Sequence, residues 1–383
     1  MRAGEENNRS VYVITHNIVS PLGDTSEENF LALKAGLTSV KKQFDSEIAA
    51  EPFMASLFDK DNDFFDQIDE DLTRFERLCM QSITGALSQT SIDIAGNKTL
   101  FILSSTKGNI SLLETQPESA ALNSRVSLNT SAKIIAAQFG FTTKPVVVSN
   151  ACISGVLAVI TAMRLIRTGE YNTAVITGAD VISKFVVSGF QSFQALSSDV
   201  CKPFDKDRTG LNLGEGAGTI ILSADEKYAG NIKVLGGAVS NDANHISGPS
   251  RTGEELAGAI NHALTDAGKD ASSIDFISAH GTATAYNDEM EATALTLAGL
   301  QHVPLNSLKG NYGHTLGAAG IIESVISLQS VEQGSLMPTV GYHKNGVTNP
   351  VNVCTAETAI DAQTFLKTAS GFGGCNGAVI FGK

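Results

Sequence analysis

The sequence predicts an α/β protein built from two related halves, and three observations carry that expectation. Short β-branched runs alternate with longer apolar stretches of helical period, the pattern of strands and helices packed in layers. A second series of such runs begins in the C-terminal part of the chain. Two stretches, VVVSNACISGVLAV and NSLKGNYGHTLGAAG, pass in the same way from a strand through small residues into a helix, and GEGAGTIIL is echoed by GGCNGAVIF.

In chain order the first series is VYVIT, TLFILS, VVVS, AVITG and GTIILS. Each is short, apolar and rich in β-branched residues, as a buried strand requires, and helical stretches separate most of them. IKVLGGAVS opens the second series, continued by IDFISAH, VPLNSL and AVIFG, with helices expected over EELAGAINHALTDAG and GAAGIIESVISLQSVEQG. The seam falls near Tyr228 to Ile232, dividing the chain into an N-terminal half, residues 1–230, and a C-terminal half, residues 231–383. Residues 40–75 are acidic and irregular, an insertion or cap without a strong strand pattern, followed by a helix carrying Leu72, Phe75, Leu78, Cys79 and Ile83. No Pro-rich or Gly/Ser-rich linker intervenes, so the halves should share an interface.

Composition excludes several functions. With 383 residues, 42% hydrophobic and 17% charged, the chain can bury a substantial interior. Its net charge of -13, from 27 basic and 40 acidic side chains, argues against nucleic acid, which needs concentrated positive charge. The five cysteines (Cys79, Cys152, Cys201, Cys354, Cys375) are scattered and form no C-x-x-C pair, so neither a disulfide framework nor zinc is expected. An N-terminus without an apolar core, and the lack of an 18-residue apolar run, point to a cytoplasmic protein that does not insert into a membrane.

Cys152 sits between VVVS and the helix beginning near ISGVLAVITAM, where a thiolate would face the positive end of the helix dipole. It is either a nucleophile at a tight turn or a buried structural cysteine. His280 ends IDFISAH and His314 lies in LKGNYGHTLGAAG, two equivalent strand-to-helix settings; strand ends are where α/β sites lie, although a histidine there can also be a satisfied core residue. Lys309 follows an apolar strand, where an ammonium is out of place unless it meets a carboxylate; Glu323 is the candidate, and two solvated side chains are the alternative. SGFGGCNGAV gathers glycines around Phe372, which lets backbone N–H groups approach a ligand. GEGAG precedes a strand and not a helix, so it signals close backbone packing and no dinucleotide site.

Taken together, VSNACISG, KPFDKDRTGLNLGEGAG, SAHGTATAYNDEMEA, KGNYGHTLGAAGIIE and SGFGGCNGA resemble the β-ketoacyl-[acyl-carrier-protein] synthases of the elongating, Cys-His-His type, from the turn at Ser20 to Gly23 through the C-terminus. The resemblance implies a thiolase-like fold with a layered αβαβα core. It implies a decarboxylative Claisen condensation between an acyl group on Cys152 and a malonyl carrier, in fatty acid or polyketide biosynthesis. His280 and His314 would hold the malonyl thioester, Lys309 would be the active-site lysine and Glu323 part of its supporting network. The N–H groups of Cys152 and Phe372 would form the oxyanion hole, with Phe372 also the gate; Thr282 and Thr284 would contact the pantetheine arm. No metal or cofactor is implied, since phosphopantetheine arrives on the carrier. The partner is an acidic acyl carrier protein, for which Arg74, Arg77, Lys202 and Lys206 fall where the family has a basic patch, or else form a solvated charged face. The assembly implied is a homodimer, with a heterodimer beside a related ketosynthase subunit as the alternative.

The chain departs from the family at Asn150, Leu308, Gly310 and Cys375, and its stretch between STKG and VVVSN is short. Two rival readings follow: a thiolase-like acyltransferase on coenzyme A thioesters with Cys375 as second thiol, and a non-catalytic chain-length partner.

Overall fold

A computed structural model describes residues 9–59 and 72–383. Ten strands carry the fold: β1 (Tyr12–Val19), β2 (Thr99–Ser104), β3 (Val146–Val148), β4 (Thr173–Asp180), β5 (Gly216–Ser223), β6 (Lys233–Asn241), β7 (Phe276–Ser278), β8 (Leu305–Asn306), β9 (Thr364–Gly371) and β10 (Cys375–Gly382). Their order across the sheet is β8-β7-β9-β10-β6-β1-β5-β4-β2-β3. Each half therefore repeats one scheme: its first strand pairs antiparallel with its fifth, the fifth antiparallel with the fourth, and the fourth, second and third run parallel. The two five-stranded units meet where Tyr12 pairs with Lys233.

Helices fill the remaining layers. On the outer faces α1 (Arg74–Leu87) covers β1, β4 and β5, while α3 (Glu254–Ala267) covers β6 and β10 beside α4 (Ala285–Leu297). The central layer holds α2 (Ser154–Arg167) and α5 (Ala319–Gln333), each touching strands of both halves. Twelve of the fifteen residues of α5 are buried, as expected of a helix without a strongly polar face. The order of layers is thus αβαβα.

The two central helices approach almost backbone to backbone. A Cβ added at Gly155 would lie 2.9 Å from the Ile321 nitrogen and 3.0 Å from the Gly317 carbonyl oxygen; one at Gly320 would lie 2.6 Å from the Val156 nitrogen. Only glycine at both positions permits this approach.

Two expectations need correction. The acidic segment is not wholly irregular: Lys41–Gln43 and Phe53–Ser56 pair with each other and with Leu213–Gly214 in a small second sheet. Residues 60–71 of that expected cap lie outside the described residues. The other correction is β9, which was not among the expected strands. Its sequence TFLKTASG places a lysine and two threonines where an apolar run would signal a strand, yet seven of its eight residues are buried.

The Gly155 contact makes a direct prediction. Gly155→Ala forces a methyl group onto backbone atoms that cannot rotate away, and overpacking of this kind costs about 1–3 kcal/mol. Chemical denaturation should show a lowered midpoint with the slope unchanged; an unaltered midpoint would contradict the proposed contact.

Candidate active site

The nucleophile position is built by a tight turn. After β3 the chain passes through Ala151, whose φ of +45° is a left-handed conformation costing a non-glycine residue about 1–3 kcal/mol, before α2 begins at Ser154. The Ser154 hydroxyl holds the turn by donating to the Ala151 carbonyl (2.6 Å) and accepting the Asn150 N–H (2.7 Å). The turn delivers Cys152 to a cavity of about 480 Å³, whose lining includes His280, His314, Thr282, Thr284 and Phe372.

Both histidines arrive from the C-terminal half. His280 leaves the end of β7 and its N–H donates to Glu291 Oε1 (2.8 Å), while Gly281 N–H donates to Oε2 of the same carboxylate (2.7 Å). Asp288, one turn earlier on α4, accepts from Thr282 N–H at 2.9 Å. His314 is pinned by its N–H to the Asn212 carbonyl (2.6 Å) and by Gly214 N–H to its own carbonyl (3.1 Å). The imidazole rings stand 5.3 Å apart, edge to face. Both are buried, and neither ring nitrogen of His314 has a hydrogen-bond partner among the described residues. Burial, reinforced by the Lys309 ammonium, holds both imidazoles well below their ordinary pKa. Each is therefore neutral near pH 7, with one ring N–H donor and one ring nitrogen acceptor.

Behind the histidines lies an ionic cluster. Lys309 and Glu323 are buried and form an ion pair, so the pairing considered for these residues is the one observed. Lys367 on β9, fully buried, brings a second ammonium 2.7 Å from the other oxygen of Glu323. Burial opposes the charge on Glu323, yet the two ammonium groups hold its carboxyl below the usual range. Lys309 does not line the cavity; its influence on the rings is electrostatic.

Residues 8–227 match the family of the beta-ketoacyl synthase N-terminal domain, more than half of the chain, and residues 232–343 match the beta-ketoacyl synthase C-terminal domain. The chain belongs to the β-ketoacyl synthase family. Among relatives, 3-oxoacyl-[acyl-carrier-protein] synthase 2 of Vibrio cholerae is 28% identical over 97% of this chain and 99% of its own. A putative mitochondrial 3-oxoacyl-[acyl-carrier-protein] synthase of Schizosaccharomyces pombe is 30% identical over 68% of this chain, a match that spans 66% of that relative. Among solved structures, the ishigamide ketosynthase/chain length factor superposes with a TM-score of 0.87 and 27% identity, covering 98% of this chain and 99% of its own.

The remaining residues singled out by resemblance to the β-ketoacyl synthases fall in varied surroundings. Phe372 is 38% exposed and packs against Phe190 and Phe193, with ring centroids 5.7 and 5.2 Å away. A Cβ at Gly371 would come 2.9 Å from the Cys152 nitrogen, so the end of β9 lies directly against the nucleophile's backbone. Thr282 and Thr284 line the cavity with their hydroxyls 3.0 Å apart. Among the basic residues, Lys206 is exposed, Arg77 and Lys202 are half-buried, and the Arg74 guanidinium meets the buried Glu215 carboxylate at 2.8 Å. Arg74 therefore helps fix the start of α1 to the core whatever else it does. Three of the four departing residues have local surroundings that suit them: Leu308 is a core residue, an added Cβ at Gly310 would clash with Val340, and Cys375 is buried with its sulfur 3.4 Å from the Phe372 carbonyl.

Sequence reasoning missed Lys367, Asp288 and Glu291. The last two lie inside the quoted stretch SAHGTATAYNDEMEA, where their i, i+3 spacing puts both on one face of α4. That both are buried is the signal that distinguishes them from ordinary polar helix residues.

The expected thiolate also needs correction. Burial pushes the Cys152 thiol up to about 12, against the pull of Lys309. Desolvation outweighs that pull, and a helix terminus adds about 2 kcal/mol at most in favour of the thiolate. Burial wins, so the resting group is a thiol. In the free protein, alkylation of Cys152 by iodoacetamide should accelerate about tenfold per pH unit from pH 7 to 9; a plateau in that range would show a resting thiolate instead.

Proposed function

We propose that this chain condenses an acyl group, held as a thioester on Cys152, with malonyl-[acyl-carrier-protein] to give a β-ketoacyl-[acyl-carrier-protein]. The observation that carries this reading is the convergence of one thiol and two neutral imidazoles, drawn from different halves of the fold, on a single cavity.

In the first half-reaction the Cys152 sulfur attacks the carrier thioester as its proton passes to a neutral imidazole. A thiol with a raised pKa needs such an acceptor. The oxyanion would be received by the N–H groups of Cys152 and Phe372, each worth about 3 to 4 kcal/mol. The tetrahedral adduct collapses with release of the pantetheine thiol, which takes up the proton. In the second, the imidazole N–H donors of His280 and His314 bond the malonyl thioester oxygen. Loss of carbon dioxide leaves the electron pair as an enolate, stabilised at that oxygen. The enolate carbon attacks the acyl-Cys152 carbonyl, a carbon–carbon bond forms, and the Cys152 sulfur leaves as a thiolate that takes one proton from solvent.

Thr282 and Thr284 are the hydroxyls offered to the pantetheine arm, and an acidic carrier protein would dock against Lys202 and Lys206 at the surface. The chain pairs with a second subunit of the same fold, identical or related, and works in the cytoplasm. Among the described residues no helix is long and apolar enough to cross a membrane. The non-catalytic alternative is disfavoured because Cys152, His280, His314 and Lys309 are all present and gathered together.

Intact-protein mass spectrometry after incubation with an acyl carrier should show an acyl adduct that Cys152→Ala abolishes. His280→Ala and His314→Ala should each keep self-acylation within about tenfold and lose at least about a hundredfold of carbon dioxide release from malonyl carrier. Normal decarboxylation by both variants would refute the assignment.

A further inference from the structure

Lys367 is a fully buried amine that the condensation chemistry described above does not use; burial lowers its pKa from the ordinary lysine value and the Glu323 carboxylate opposes that loss of charge. It sits on β9, the strand that ends against the Cys152 backbone, and its Nζ donates to the carbonyls of Ser278 (3.0 Å) and Ala279 (3.3 Å). The Ala279 carbonyl belongs to the peptide whose N–H is that of His280, and that N–H is held by Glu291 at 2.8 Å. The peptide entering His280 is thus gripped at its oxygen by an ammonium and at its nitrogen by a carboxylate. The same Nζ lies 2.7 Å from Glu323 Oε2.

Resting on the condensing-enzyme reading, we infer that Lys367 is a positioning residue for the decarboxylation half-reaction: it fixes the His280 peptide and adds a second positive charge beneath the imidazole pair. The charged and titratable groups around it come from every adjoining element: Glu323 from α5, Glu291 and beyond it Asp288 from α4, Lys309 and Tyr312 after β8, and the two histidines. Two carboxylates and two ammoniums alternate, with Lys367 between Glu291 and Glu323. Its charge acts with that of Lys309 to keep both rings neutral. Two neutral rings can approach one malonyl oxygen together, whereas cationic rings repel each other and the ammoniums behind them, so protonation weakens their joint hold on that oxygen.

Two variants separate the parts of this role. Lys367→Met removes both the charge and the donor; Lys367→Gln removes the charge and keeps a donor. Wild type and both variants are compared for carbon dioxide release from malonyl carrier between pH 5 and 8, and for self-acylation of Cys152 at pH 8. Removing a positive charge raises the imidazole pKa values, so the acid limb should lie at higher pH in both variants than in wild type. At pH 8, decarboxylation should fall about tenfold in Lys367→Met and less in Lys367→Gln, while self-acylation stays within about threefold of wild type. An acid limb that stays in place in both variants, or acylation falling in step with decarboxylation, would overturn the inference; so would failure of both variants to fold, which would make Lys367 purely structural. If the wild type itself releases no carbon dioxide, the condensation reading fails as well.

Discussion

The geometry of this protein depends on the contact between two central helices at Gly155 and Gly320. Those glycines occupy equivalent places in two echoing stretches, each the second residue of its helix. Because neither has a side chain, the helix starts come close enough that the segments before them share one space. One segment carries Cys152 and the other carries His314. A larger residue at either position would separate nucleophile from imidazole, so the duplicated architecture and the chemistry share one steric requirement.

Burial then sorts the charges. The thiol and both imidazoles line a cavity in a water-poor interior, which favours their neutral forms, and the full charges are confined to a cluster one layer deeper. Neutral rings can donate to a developing enolate or take the thiol proton. Fixed ammoniums behind them contribute a positive field without occupying the cavity. Burying ionised groups is costly unless each is paired and hydrogen-bonded. Here Glu323 is matched by two lysines and Glu291 by two backbone N–H groups and the Thr368 hydroxyl.

Most of this was legible in the sequence where period or small-residue clustering was strong. The expected strands ending at VVVS and ISAH and the glycine-rich helix starts fall where the structure has them, and they located Cys152, His280 and His314. β9 was not legible, because Lys367 breaks the apolar run that marks a buried strand; the lysine that hid the strand is the one whose burial now gives it a role. The pairing of Lys309 with Glu323 could be suggested but not decided from sequence, since 14 residues of separation fix no distance until α5 is folded against the sheet. The stabilisation of a Cys152 thiolate by the helix start was overestimated for a similar reason. A helix terminus is visible in a sequence, whereas the depth of burial that outweighs it is a property of the assembled layers.

The most direct measurement is a single turnover with the acyl enzyme. Protein carrying one acyl group on Cys152 is mixed with malonyl carrier labelled at the free carboxylate, and labelled carbon dioxide, residual acyl enzyme and β-ketoacyl product are quantified together. One equivalent of carbon dioxide and one of product for each acyl group lost is the result expected if thiol and imidazoles act in one cavity. Product without carbon dioxide, or carbon dioxide released while the acyl group stays on Cys152, would contradict it.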